Sequence, residues 1–135
     1  MDGRLSLALL GGAGADVMRG GCANDFLDID SFDTLIDAGG GTNDVIVVMG
    51  SIGINLNITT ARGEYVIGGT GNDTLTAVDS ANAVVIQGGE DADSITGSNG
   101  NDYFYGNAGA DIFRVTAKAQ FGSLQPCVSA LCPGD

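Results

Sequence analysis

The sequence contains no histidine, and it has only two prolines and three cysteines in 135 residues. Without histidine neither a Ser-His-Asp triad, nor a Cys-His pair, nor a His-based zinc site can be assembled. Three cysteines do not restore zinc. Cys127 and Cys132 enclose a short loop that leaves both a local disulfide and two thiols open, and Cys22 is an odd thiol. Positive charge is equally scarce: five Lys and Arg stand against 17 Asp and Glu, a formal net charge of −12. That balance disfavours nucleic acid and anionic membranes as partners and favours cations. Aromatic residues make up 6% of the chain and glycine fills 23 positions, a thin supply for an ordinary core in one domain. A bound metal is the expected supplement. The longest wholly apolar run, Val45 to Met49, is far too short to span a membrane.

What the chain has instead is a period. Gly88 to Arg114 divides into three consecutive nonapeptides, GGEDADSIT, GSNGNDYFY and GNAGADIFR. The first residue of each is Gly (Gly88, Gly97, Gly106), the sixth is Asp (Asp93, Asp102, Asp111) and the eighth is large and apolar (Ile95, Phe104, Phe113). Glycines early in the unit suit a turn with left-handed residues, and the last three positions suit a short strand. The middle residue of each strand then points to one face, so Ile95, Phe104 and Phe113 can line a common interior. Two units make one coil of a flattened helix whose turns alternate between two edges. On that geometry Asp93 and Asp111 stack on one edge, about 4.8 Å apart, and Asp102 faces the other. Two such charges repel by roughly 3 kcal/mol at an effective dielectric of about 20, so a cation is expected between them. Carboxylates and inward-turned glycine carbonyls are oxygen-only ligands, which suit Ca²⁺ better than Mg²⁺.

Further units flank this block. GGAGADVMR (Gly11 to Arg19) and GGTGNDTLT (Gly68 to Thr76) carry three glycines and the Asp; GGCANDFLD (Gly20 to Asp28) and GGGTNDVIV (Gly39 to Val47) carry Ala23 and Thr42 at the fourth position. The sixth-position carboxylates are therefore Asp16, Asp25, Asp44, Asp73, Asp93, Asp102 and Asp111. These units resemble the RTX, or haemolysin-type, calcium-binding repeat, G-G-x-G-x-D-x-U-x, where U is large and apolar. The resemblance implies an all-β fold, a right-handed parallel β-roll, that binds several Ca²⁺ ions and folds on them. Its candidate metal ligands are the seven aspartates with the turn residues Gly11, Gly12 and Gly14, then Gly68, Gly69 and Gly71, then Gly88 and Gly89. Gly97, Gly100, Gly106 and Gly109 complete that set. The resemblance also implies a secreted, extracellular protein of type I secretion. The chain would be part of a larger one, with further RTX repeats or an N-terminal domain as missing neighbours. Alternatives are an adhesin-like surface-binding roll, or the C-terminal fragment of a secreted RTX enzyme or toxin.

The roll is expected over 1–114, with a degenerate spacer at about 48–67 and a tail at 115–135. Leu5, Leu7 and Leu9 alternate before the first turn, so the chain begins in mid-pattern, as a fragment of a longer array would. Asp33-Thr34-Leu35 keeps a D-x-U ending without glycines. In the spacer, Ile52, Ile54, Leu56 and Ile58 alternate as a half-buried strand does, and more strand is expected at Glu64 to Gly68. Spacings of 19 between Asp25 and Asp44 and of 20 between Asp73 and Asp93 require a bulge, and Ala77 to Gln87 requires a bulge or loop. No enzyme is expected. Equivalent carboxylates on a period are not the differentiated pair of a glycosidase, and GGAGAD and GGTGND lack the Lys-Ser/Thr of a phosphate loop.

Overall fold

A computed structural model describes residues 5–115 and 120–125. Short x-U-x segments do form strands, and they stack in parallel. One long sheet contains β1 (Ala8–Leu10), β3 (Phe26–Ile29), β5 (Val45–Val48), β7 (Tyr65–Gly69), β9 (Val85–Glu90), β11 (Asn101–Ala108) and β13 (Gln120–Gln125), in that order. The opposite face is built from β2 (Val17–Arg19) with β4 (Leu35–Asp37), and from β6 (Asn55–Asn57), β8 (Thr74–Thr76), β10 (Ser94–Thr96) and β12 (Ile112–Arg114). The chain crosses from one face to the other at every turn. The result is a parallel β-roll of about six coils.

The period-two alternation decides what the roll encloses. Met18, Leu27, Ile46, Leu75, Ile95, Phe104 and Phe113, each the eighth residue of its unit, are all buried in one apolar cluster. Phe104 and Phe113 face one another across the interior as stacked rings with centroids 5.8 Å apart. Each strand contributes one such side chain per face, so the core is a narrow column repeated coil by coil.

Coil length varies, and the turns take up the variation. Ala8 pairs with Phe26, Phe26 with Val45, Val45 with Tyr65, Tyr65 with Val85 and Val85 with Tyr103, all within unbroken registers. The bulge anticipated between Asp25 and Asp44, and between Asp73 and Asp93, is therefore absent from those strand pairs; added residues lie in turns such as the one between Thr76 and Val85. A turn can lengthen without disturbing a ladder, whereas a bulge would flip every following side chain.

Two further expectations change. The strand expected over the spacer covers only Asn55–Asn57, and Ile58–Ala61 is a single helical turn, α1. Asn57 caps it by accepting from the Thr60 N–H, and Arg62 ends it in the left-handed conformation. The Arg62 guanidinium then grips Asp37 through two 2.7 Å hydrogen bonds, holding α1 against β4 and keeping the Asp37 carboxyl below its ordinary range. Second, the residue aligned with Met18 in the eroded unit, and packed against the core, is Ile36. β13 also extends the long sheet beyond Arg114 by pairing with β11. Cys127 and Cys132 lie outside the described residues, while Cys22 is an exposed thiol.

Candidate metal centre

The strand period places the sixth residue of each unit at the end of a turn, just before the strand. Its backbone N–H points along the stack toward the next coil and donates to that coil's carboxylate. On one edge Leu7 N–H donates to Asp25 Oδ1 (2.7 Å), Asp25 N–H to Asp44 Oδ1 (2.7 Å) and Asp44 N–H to Glu64 Oε2 (2.8 Å); further on, Val84 N–H donates to Asp102 Oδ1 (3.0 Å). On the other edge Asp16 N–H donates to Asp33 Oδ1 (3.0 Å), Ile54 N–H to Asp73 Oδ1 (2.8 Å), Asp73 N–H to Asp93 Oδ1 (2.8 Å) and Asp93 N–H to Asp111 Oδ1 (3.0 Å). Asp93 and Asp111 thus share an edge and Asp102 lies on the opposite one, as the nine-residue period requires.

Two members of these ladders are not among the seven candidate aspartates. Glu64 takes the place of an aspartate, two residues before the buried Val66, so Glu64-Tyr65-Val66 is a D-x-U ending with a longer acid. Asp33 belongs to the Asp93 edge despite its eroded turn. Ile54 and Val84 occupy equivalent places with no carboxylate, and both are buried.

The aspartates are held inside the protein. Asp25, Asp44, Asp73, Asp93, Asp102 and Asp111 are each at most 2% exposed. A buried carboxylate needs partners for both oxygens. Asp73, Asp93 and Asp111 have one each, because their Oδ2 atoms are buried without a hydrogen-bond partner, as is Oδ2 of Asp16. Burial accordingly lifts the Asp73 and Asp93 carboxyls to about 6, against the lowering effect of the N–H groups they accept from. Burial raises the Glu64 carboxyl as well, again opposed by the N–H it accepts.

The glycines make room for these oxygens. A Cβ at Gly88 would collide with Asp93 Oδ2, one at Gly68 with Asp73 Oδ2 and one at Gly106 with Asp111 Oδ2. In these three units the first-position glycine is thus a steric requirement of its own unit's aspartate. Gly89, by contrast, is required by conformation, with φ at 124°.

A cation fits this arrangement. Charged, buried oxygens lacking donors, beside backbone that carries no side chains, form a hard oxygen-donor site. Among the described residues no group of three or more Cys, Asp or Glu side chains is gathered, so backbone carbonyls and water would have to complete a coordination shell. A parallel coil stack with buried carboxylates recurring at its turns defines a repeat protein built around cations. The model of the RTX calcium-binding nonapeptide repeat matches residues 9–36, 58–81 and 85–113, with four copies, and the chain belongs to that family. Calcium binding is what this membership implies. No curated protein and no solved structure shows a significant match. No helix among the described residues is long and apolar enough to cross a membrane.

Proposed function

We propose that this chain is a calcium-binding β-roll module of a larger protein secreted by a type I route, and that it folds when it meets extracellular calcium. The observation that carries the reading is the set of buried, unpartnered Oδ2 atoms on Asp73, Asp93 and Asp111. Each is a carboxylate oxygen removed from water with nothing to compensate it, and a divalent cation between stacked pairs supplies that compensation. Several ions would bind, with carbonyls of the Gly68, Gly88 and Gly106 turns as further ligands. Calcium is favoured over magnesium because a shell assembled from carboxylates and turn backbone is large and irregular.

The role is binding and folding, not catalysis, since the carboxylates repeat equivalent positions. A place in a larger array is supported by the first coil, where Leu5, Leu10 of β1 and Val17 of β2, the outermost described strands of their sheets, are 69%, 70% and 64% exposed. Apolar side chains at an uncovered strand suit contact with another coil. Circular dichroism and small-angle scattering of the full chain, with millimolar Ca²⁺ and after chelation, test the proposal. The calcium-loaded chain is expected to be compact and β-rich and the stripped chain expanded. A β spectrum and radius indifferent to calcium would sink it.

A further inference from the structure

The two edges of the roll are not equivalent. On the Asp93 edge, four of the turns entering the short face have left-handed residues at both the second and the fourth positions: Gly12 and Gly14, Gly69 and Gly71, Gly89 and Asp91, Asn107 and Gly109. Asparagine and aspartate replace glycine twice without changing the conformation, so the shape of the turn is kept where the residue is not. Each of these turns ends in an aspartate, Asp16, Asp73, Asp93 or Asp111, whose Oδ2 is buried and unpartnered.

On the opposite edge none of the three repeat turns has a left-handed residue at either place. There the backbone closes on its own carboxylate. Gly21 N–H donates to Asp25 Oδ2 (2.5 Å), Gly41 N–H to Asp44 Oδ2 (3.2 Å) and Ser98 N–H to Asp102 Oδ2 (2.7 Å). The Ser98 hydroxyl adds a second bond, to Asp102 Oδ1 (2.6 Å). Both oxygens of these three carboxylates are therefore engaged by donors from the protein. Asp25 and Asp44 each accept two bonds and Asp102 accepts three, so each of these buried carboxylates has a donor on both oxygens and part of its charge is satisfied without a cation.

Resting on the calcium-binding reading above, we infer that calcium loads one edge only: ions lie between Asp73 and Asp93 and between Asp93 and Asp111. The Asp25, Asp44 and Asp102 edge is closed by backbone N–H groups and holds none. Three consecutive open turns, 68–73, 88–93 and 106–111, give two intervals with an unpartnered oxygen on both sides. The turns at 68–73 and 88–93 are already tied by Gly71 N–H to Asp91 Oδ2 (3.2 Å) and Ala92 N–H to Asn72 Oδ1 (3.0 Å). Asp16 is a half-site. Its stacked neighbour Asp33 accepts from Asp16 N–H at one oxygen and from Asp30 N–H (2.8 Å) at the other.

The test is to locate the ions. Crystals of the full chain grown with Tb³⁺ in place of calcium should show anomalous peaks in the two intervals bounded by Asp93. None should appear between the 20–25 and 39–44 turns or beside Asp102. Equilibrium dialysis of calcium against variants gives the solution counterpart. Asp93→Asn should lose two ions, and Asp44→Asn should lose none even if its fold is weakened. Peaks on the Asp44 edge, or equal losses for the two variants, would overturn the asymmetry while leaving calcium binding intact. Ions on neither edge would overturn the calcium reading itself, and the asymmetry with it.

Discussion

Removing the charge of Asp93 should stabilise the calcium-free roll and cripple the calcium-bound one. Asp93→Asn keeps an Oδ1 that accepts the Asp73 N–H and replaces the unpartnered Oδ2 with a neutral group. Burial raises the carboxyl from an ordinary 3.8 to about 6. At 1.36 kcal/mol per unit, the charged form costs about 3 kcal/mol at neutral pH. Asp73, raised equally, carries a similar cost. Two such costs reach the lower end of a small domain's entire stability, about 5–15 kcal/mol, so the proposed calcium-free chain is expected to be expanded at neutral pH. The pH dependence follows in sign. Both carboxyls hold protons more tightly folded than unfolded, so folding takes up protons between about pH 4 and 6. Apo stability is highest at the acid end of that window and is lost as pH rises through about 6. Circular dichroism of calcium-stripped protein should therefore show a β signal that falls from about pH 4 to pH 7 in the wild type and falls less in Asp93→Asn. At pH 7 without calcium the variant should retain more of that signal than the wild type, and in saturating calcium the order of stability should reverse. A variant less stable than wild type at pH 7 without calcium, or a flat wild-type profile, would refute the assignment of strain to these carboxylates.

Magnesium at the same millimolar concentration should not compact the chain, because it keeps its water and demands octahedral geometry; equal radii by scattering in the two ions would contradict this. Phe104→Ala should cost about 3–5 kcal/mol in the calcium-loaded state, since it empties a buried aromatic position stacked on Phe113, and calcium-saturated urea melts measure it. Restoring glycine at both fourth positions of the Asp44 edge, with Ala23→Gly and Thr42→Gly, should free those turns for the left-handed conformation. One further bound calcium ion is then expected by equilibrium dialysis, and an unchanged count would show that the fourth residue does not set the state of the edge.

The period legible at Gly88 to Arg114 carried most of the fold, because a nine-residue turn-and-strand unit leaves little choice of architecture. The structure carries the same phase to Met18, Leu27, Ile46 and Leu75, which take the eighth position of their units and lie in the core. It misjudged places where a tertiary contact outweighs the pattern. The alternation through Ile58 looks like strand, yet capping by Asn57 and the grip of Arg62 on Asp37 favour one helical turn. Leu35 looks like the interior residue by its distance from Asp33, but the ladder aligns Ile36 with Met18. Glu64 was not legible as a ladder member because the motif's sixth residue is aspartate, although its distance from Val66 repeats the motif. The difference between edges is faintly written in Ala23 and Thr42. At the third closed turn Gly100 is glycine and still not left-handed, so there the Ser98 contacts with Asp102 are the visible difference.

The most direct measurement is the coupling between aspartates, read from the calcium-dependent folding midpoint and the bound calcium count. Asp93→Asn and Asp111→Asn remove opposite sides of one interval, so the double variant should lose little more than the more severe single change. Asp93→Asn with Asp102→Asn should be nearly additive, because Asp102 lies on the other edge with both oxygens already engaged. Strong coupling within the first pair and weak coupling within the second is the predicted result. Stronger coupling between Asp93 and Asp102 would mean that consecutive turns share an ion, and it would contradict the stacked-carboxylate account.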